Sequence, residues 1–230
     1  MTTARIAFAV VWLATQLGGC TARERSRDVG RGERSDAGGE REQLFGGSTL
    51  EGWRQADGGE PQWMLVDGAL EVNPGSGDLV STVVHGDVRL HVEFRVPSTP
   101  DVNASEQDRG NSGVFLQSRY EVQVLDSFDR ALADRNDCGA IYGTRDADTN
   151  AALPAERWQT YDIAFRAARW MGNVKRAAAR ISVTWNGTLV HDDVEVMESI
   201  GEPEGPSSLP LRLQDHGHRV RYRNLWMQRL

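Results

Sequence analysis

The sequence predicts an all-β domain folded as a jelly-roll sandwich of two antiparallel sheets, and two observations carry that prediction. Apolar segments rich in Val, Ile, Leu, Phe and Trp are short, and Gly, Pro, Asn and Asp punctuate them at close intervals. No stretch keeps the 3.6-residue apolar period of a helix beyond about three turns. Around ten strands cannot lie in one open sheet without exposing edges, so two packed sheets are expected.

Residues 1–19 read as an export signal. Arg5 supplies the positive start, Ile6 to Leu17 an apolar core, and Leu17-Gly18-Gly19-Cys20 sets small residues before a cysteine, the bacterial lipoprotein pattern. Cys20 then becomes the lipidated first residue, holding an exported chain to a membrane, in the periplasm or at the outer membrane or cell surface, without crossing it. Residues 20–42 form a tether: between Thr21 and Glu42 six arginines interleave with six acids, and large apolar residues are almost absent.

The domain spans residues 43–230. Strands are expected at Trp63 to Val66, Ala69 to Val72, Asp78 to Ser81, Val88 to Val96, Ser112 to Gln117 and Tyr120 to Leu125. The others fall at Trp158 to Phe165, Arg180 to Trp185, Thr188 to Val194, Leu209 to Gln214 and Val220 to Gln228. Asp67-Gly68 and Asn186-Gly187 accept the positive φ angles of type I′ turns and mark two hairpins. Ala167 to Ala179 has a helical composition, but Gly172 and Asn173 interrupt it, so a loop or broken turn is expected there. With Cys20 lipidated, Cys138 has no disulfide partner and is expected as a buried small hydrophobe. A net charge of −7 without a basic stripe argues against a nucleic-acid partner.

The most informative stretch is Asn111 to Asp126, where the polar positions of an alternating pattern carry Asn, Gln and Glu. On parity Asn111, Phe115 and Gln117 share one side of the first strand, and Glu121 and Gln123 one side of the second. Amides, a carboxylate and an aromatic ring on one sheet face suit a sugar, which needs donors, acceptors and a ring to stack on. Near the C-terminus Leu211 and Leu213 point inward, which sends Arg212 and Gln214 outward beside Glu121 and Gln123 if the strands are neighbours. His216 follows at the strand end, next to Gly217, and is a residue type that serves as general base or acid.

Leu44-Phe45-Gly46-Gly47-Ser48-Thr49-Leu50-Glu51-Gly52-Trp53 resembles the opening motif of the 3-keto-disaccharide hydrolase family. The family's later motifs follow in order: Trp63 with Asp67-Gly68, Asn111-Ser112-Gly113-Val114-Phe115, Tyr120-Glu121-Val122-Gln123-Val124-Leu125-Asp126, Cys138-Gly139-Ala140-Ile141-Tyr142, Trp158, Asn186-Gly187, Leu213-Gln214-Asp215-His216-Gly217 and Arg223-Asn224. The resemblance covers essentially the whole domain. It implies a concanavalin-like jelly roll acting on glycosides oxidised to a ketone at C3, by β-elimination and hydration. Glu121 and His216 are then the expected proton-handling groups, with Asn111, Gln123, Gln214 and Arg223 positioning hydroxyls and developing charge. Gln159 stands where the family commonly has Asn, so a hydrogen bond there is expected to lengthen or be lost.

Several alternatives stay open. Asp126 and Asp215 either join the site or serve as turn and strand-end residues. No cofactor is certain; Glu121, Asp215, His216 and His218 are ligand types for a divalent metal that would polarise the ketone, although no spacing compels one. Glu121 and Asp126 also have the spacing of a retaining glycanase pair, with Gln123 in place of the middle acid. The fold equally hosts non-catalytic modules that bind oligosaccharide.

Overall fold

The structure is a computed structural model that describes residues 39–99, 107–132 and 135–230. The expected export signal, Cys20 and most of the tether lie outside the described residues. Among the described residues the chain forms strands and no helix, in the order β1 (Arg41–Phe45), β2 (Trp53–Gln55), β3 (Met64–Val66), β4 (Ala69–Glu71), β5 (Leu79–His85), β6 (Val88–Arg95), β7 (Ser112–Leu116) and β8 (Tyr120–Val124). The second half adds β9 (Gln159–Arg166), β10 (Arg169–Met171), β11 (Val174–Ala177), β12 (Ala179–Trp185), β13 (Thr188–Val196), β14 (Leu209–Leu213) and β15 (Arg221–Arg229). Every expected strand is present, and β5 runs on from Ser81 to His85.

Two antiparallel sheets pack face to face. The larger has the order β13-β12-β9-β6-β15-β4-β3, with β1 on the far half of β15, and the smaller is β2-β5-β14-β7-β8. Val92, Phe94, Tyr161, Phe165, Ile181 and Trp185 of the larger sheet share one core with Leu79, Val114, Leu116, Val122, Leu211 and Leu213 of the smaller. Strands β6, β9 and β12 alternate buried and wetter residues, as strands with one solvated face do. Strands β7 and β8 are buried at every position, so their polar face is covered as well.

Three local expectations are corrected. The first strand begins at Arg41, two residues inside the stretch expected as tether, because Arg41 and Glu42 pair with Gln228 and Met227. Their charges suit an edge strand as well as a tether. Ala167 to Ala179 is no loop: β10 pairs with β11 around Gly172, whose φ of 58° makes the interruption a hairpin turn. Gln117 does not share the face of Asn111 and Phe115, because β7 stops at Leu116 and the chain turns. Gln117 and Ser118 have φ of 50° and 52°, and Arg119 N–H donates to Leu116 O at 3.0 Å, a type I′ turn built without glycine. The turns at Asp67-Gly68 and Asn186-Gly187 have the expected positive φ angles.

Left-handed conformations at two non-glycine residues cost about 1–2 kcal/mol each, so this tip needs fixing bonds. His85 Nε2 accepts from Gln117 N–H at 3.0 Å, and Gln117 Nε2 donates to His85 O at 2.6 Å. Arg119 Nε and Nη1 donate to Pro203 O and Ser207 O, each at 2.9 Å. His85 is 1% exposed, and burial pushes its pKa down to about 4. A histidine whose folded-state pKa lies below its unfolded value contributes stability present above about pH 6.5 and lost as pH falls through about 4. Between about pH 7.5 and pH 5 this group accounts for about 2 kcal/mol. Urea unfolding of the wild type against His85→Gln should show the acid-side loss shrinking by that amount in the variant; parallel pH profiles would remove the explanation.

Candidate active site

The site is built on the central rows of the smaller sheet. In one row Arg212 on β14 lies opposite Phe115 on β7, which lies opposite Glu121 on β8. In the next, Gly113 faces Gln123, and Gln214 N–H donates to Gly113 O at 3.0 Å. The strands carrying Glu121 and Arg212 are therefore not neighbours, because β7 runs between them. Antiparallel register still brings their side chains to one face.

These rows floor a cavity of about 370 Å³, lined also by Asp78 before β5, Gln107 and Asn111 before β7, and Tyr142 after β8. Ile200 from the β13–β14 connection and His216 beyond β14 complete it. Six of the expected site residues meet here: Asn111, Phe115, Glu121, Gln123, Gln214 and His216. Sequence reasoning left out Asp78, Gln107, Tyr142 and Ile200, and set Arg212 on the right face without a role. The Cys138 to Tyr142 motif was the available signal for Tyr142, and none pointed to Ile200.

Gly113 makes room for Glu121. A Cβ at position 113 would stand 2.1 Å from Glu121 Oε1 and 2.9 Å from Phe115 Cε2. The carboxyl therefore folds over its neighbour strand in space that only glycine leaves. Glu121 is 4% exposed, and burial raises its pKa to about 8; Arg212 pulls it down, and Asp78 adds to the rise. Glu121 is thus mostly protonated at neutral pH. Asp78 is also raised by burial, against a hydrogen bond from Asp215 N–H and the charge of Arg212.

Arg212 is held as a fixed cation. Its guanidinium carbon lies 3.9 Å from the centre of the Phe115 ring, and its Nε is 3.5 Å from Asp78 Oδ2. That Nε and Gln214 Oε1 are buried with no hydrogen-bond partner. Buried polar groups left unpaired cost about 1–3 kcal/mol each, which a bound ligand with an acceptor and a donor would relieve. Asn111 and Gln123 are by contrast tied into the wall: Gln107 Oε1 accepts from Asn111 Nδ2 and Gln123 Nε2, both at 3.2 Å. Gln123 Nε2 also donates to Asn136 O at 3.0 Å.

Two expected site residues lie elsewhere. Strand β8 ends at Val124, and Asp126 Oδ1 instead accepts from Phe128 N–H at 3.3 Å in a turn, which removes the Glu121 and Asp126 glycanase pair. Arg223 sits in β15 of the larger sheet, where it pairs with Glu93 and lies 4.0 Å over the Trp158 ring. The metal-ligand types also separate. Asp215 binds Gly77 N–H and Gly217 N–H, each at 2.9 Å, and His218 Nε2 lies 2.9 Å from Asp108. Among the described residues no three His, Cys, Asp or Glu side chains gather to hold an ion. Gln159 Oε1 accepts from Leu153 N–H, Trp185 Nε1 and Asn186 Nδ2 at 3.1 to 3.2 Å, while its Nε2 is buried without a hydrogen-bond partner, so the expected loss falls on the amide nitrogen. Cys138 is fully buried, as expected.

A two-sheet jelly roll with a cavity of amides, carboxyls and a fixed guanidinium on one sheet defines a carbohydrate-acting class of protein. The chain belongs to the family of 3-keto-alpha-glucoside-1,2-lyase-like domains, whose profile matches residues 40–228. A presumed glycosyl hydrolase from Parabacteroides distasonis has a crystal structure similar to this chain, with 31% identity and a TM-score of 0.76 over 83% of this chain and 84% of that one. Another from the same organism is 17% identical with a TM-score of 0.61, over 83% of this chain and 94% of that one, and shares the fold. No curated protein matches the chain.

Proposed function

We propose that the domain cleaves 3-keto-glycosides by β-elimination followed by hydration. The observation that carries this reading is a buried, largely protonated Glu121 in register with Arg212, a fixed cation whose Nε lacks a hydrogen-bond partner. A ketone at C3 acidifies the C2 proton. A base removes that proton, the electron pair forms the C1–C2 double bond, and the C1–O bond breaks as the leaving oxygen takes a proton from an acid. Water then adds at C1 and a proton returns to C2, so the net change is hydrolysis.

Glu121 is the acid, because it holds its proton at neutral pH. His216, exposed at the open end of the cavity, is the base. Arg212 takes the part the sequence had suggested for Arg223: its charge offsets the negative oxygen that develops at C3. Gln214 Oε1 accepts from a sugar hydroxyl. The expected anchor at Cys20 belongs to the same proposal and would set the enzyme outside the cytoplasm.

Purified protein should release the aglycone from a 3-keto-glucoside, and His216→Ala should slow release by at least about a hundredfold. Undiminished release by the variant would remove His216 from the mechanism. Binding of unoxidised oligosaccharide without turnover of any 3-keto-glycoside would leave a binding module instead.

A further inference from the structure

Two carboxyls line the active-site cavity, and the elimination gives a part to Glu121 alone. Asp78, the other, stands immediately before β5, where the backbone is fixed. Trp63 Nε1 donates to Gly77 O at 3.0 Å, and Gly77 N–H donates to Asp215 Oδ2 at 2.9 Å. Asp78 returns the bond, since its Oδ1 accepts from Asp215 N–H at 2.9 Å. These two bonds form a clasp that ties the segment before β5 to the segment after β14. His216 follows directly on the clasp. Asp215 Oδ1 accepts from Gly217 N–H at 2.9 Å, and Gly217 takes a φ of 83°. The backbone on both sides of His216 is thus bonded, which places the proposed base at the cavity although its side chain is exposed.

The second oxygen of Asp78 meets Arg212. Oδ2 lies 3.5 Å from Arg212 Nε, near enough for the charges to attract, yet that N–H keeps no hydrogen-bond partner. The Phe115 ring lies 3.9 Å from the guanidinium carbon. Gly201 gives the group room, because a Cβ there would come within 2.7 Å of Arg212 Nη2. Ring, glycine and carboxyl confine the cation between them and leave Nε for a ligand oxygen.

We propose that Asp78 is a positioning residue for the reaction, a single carboxylate that aims the Arg212 guanidinium and holds the loop carrying His216. This rests on the elimination proposed above. Its charge also acts on Glu121. Around Glu121 stand Arg212 from β14, Asp78, His216 beyond β14, Tyr142 beyond β8 and Tyr222 from β15. Burial is the main reason Glu121 keeps its proton; Arg212 draws the proton off, and Asp78 opposes Arg212. With the Asp78 charge removed, Arg212 acts unopposed and the acid ionises at lower pH.

Two substitutions separate the charge from the clasp. Asp78→Asn keeps an acceptor for Asp215 N–H and loses the charge, so the alkaline limb of kcat/KM should move from near pH 8 to lower pH by about one unit. Asp78→Glu keeps the charge and displaces the clasp, so kcat should fall about tenfold or more with the limb in place. An unmoved limb in Asp78→Asn, an equal displacement in Asp78→Glu, or a wild-type kcat in Asp78→Glu would overturn the proposal. A measurement without substrate separates it from the reaction itself. The isotope-labelled carboxyl resonance of Glu121, identified by its loss in Glu121→Gln, should titrate at lower pH in Asp78→Asn than in the wild type. That result without turnover of any 3-keto-glucoside would uphold the Asp78 charge effect and overturn the elimination. An identical titration in the two proteins would overturn the proposal whatever the turnover.

Discussion

Replacing Glu121 by Gln lowers release of aglycone from a 3-keto-glucoside by at least about a hundredfold and makes the folded domain more stable. Both effects come from one cause. The sandwich buries Glu121 and raises its pKa from an ordinary 4.5 to about 8, which keeps the proton that the leaving oxygen needs. A carboxyl raised in the folded state contributes stability that is full below about pH 4.5 and is lost as pH rises through about 8. Near pH 8 that loss is at most on the order of 4 kcal/mol, and a glutamine of the same shape avoids it. Wild-type kcat/KM should therefore fall above about pH 8 as the acid ionises, and the variant's residual rate should lack that limb. Denaturant titrations at pH 8 together with the rate profile check both halves. A variant as active as the wild type would remove Glu121 from the chemistry, and one no more stable would contradict the burial argument.

Gly113→Ala should lower turnover by a comparable factor without replacing any titrating group. The new methyl would need the space that Glu121 Oε1 occupies, at 2.1 Å, and would press on Phe115, whose ring carries Arg212. Overpacking of this kind costs about 1–3 kcal/mol of stability and moves the carboxyl from its position over β7. Shortening the opposing side chain should relieve the strain: Gly113→Ala with Glu121→Ala should lose less stability than the two single losses added together. Simple additivity, or full activity in Gly113→Ala, would show that Glu121 does not depend on this gap.

Much of the fold was legible because its signals are local. Asp67-Gly68 and Asn186-Gly187 mark turns by the φ angles their residues tolerate, and alternation between such marks locates strands whatever they pair with. Gln117 and Ser118 were not legible as a turn, since neither is a residue that favours positive φ. Their strain is offset by His85, Arg119 and a strap some 80 residues away in sequence. β10 and β11 were missed for a related reason: the composition of Ala167 to Ala179 favours a helix, and the turn at Gly172 overrides it.

The sequence by itself determined that this is a two-sheet β protein of a 3-keto-glucoside lyase-like family, and that Asn111 to Asp126 and Gln214 to His216 carry its concentrated polar chemistry. Only the tertiary structure decided which of those residues meet. It set β7 between β14 and β8, turned Asp126 out where β8 ends, and left Arg223 on the other sheet with Arg212 in the site. The physical reason is that a strand's two-residue period is written in neighbouring residues, whereas partner, register and burial depend on segments far apart in the chain. The raised pKa of Glu121 belongs to the second kind: the carboxyl is an ordinary acid in the sequence and becomes a proton donor near neutral pH only once the sheet buries it.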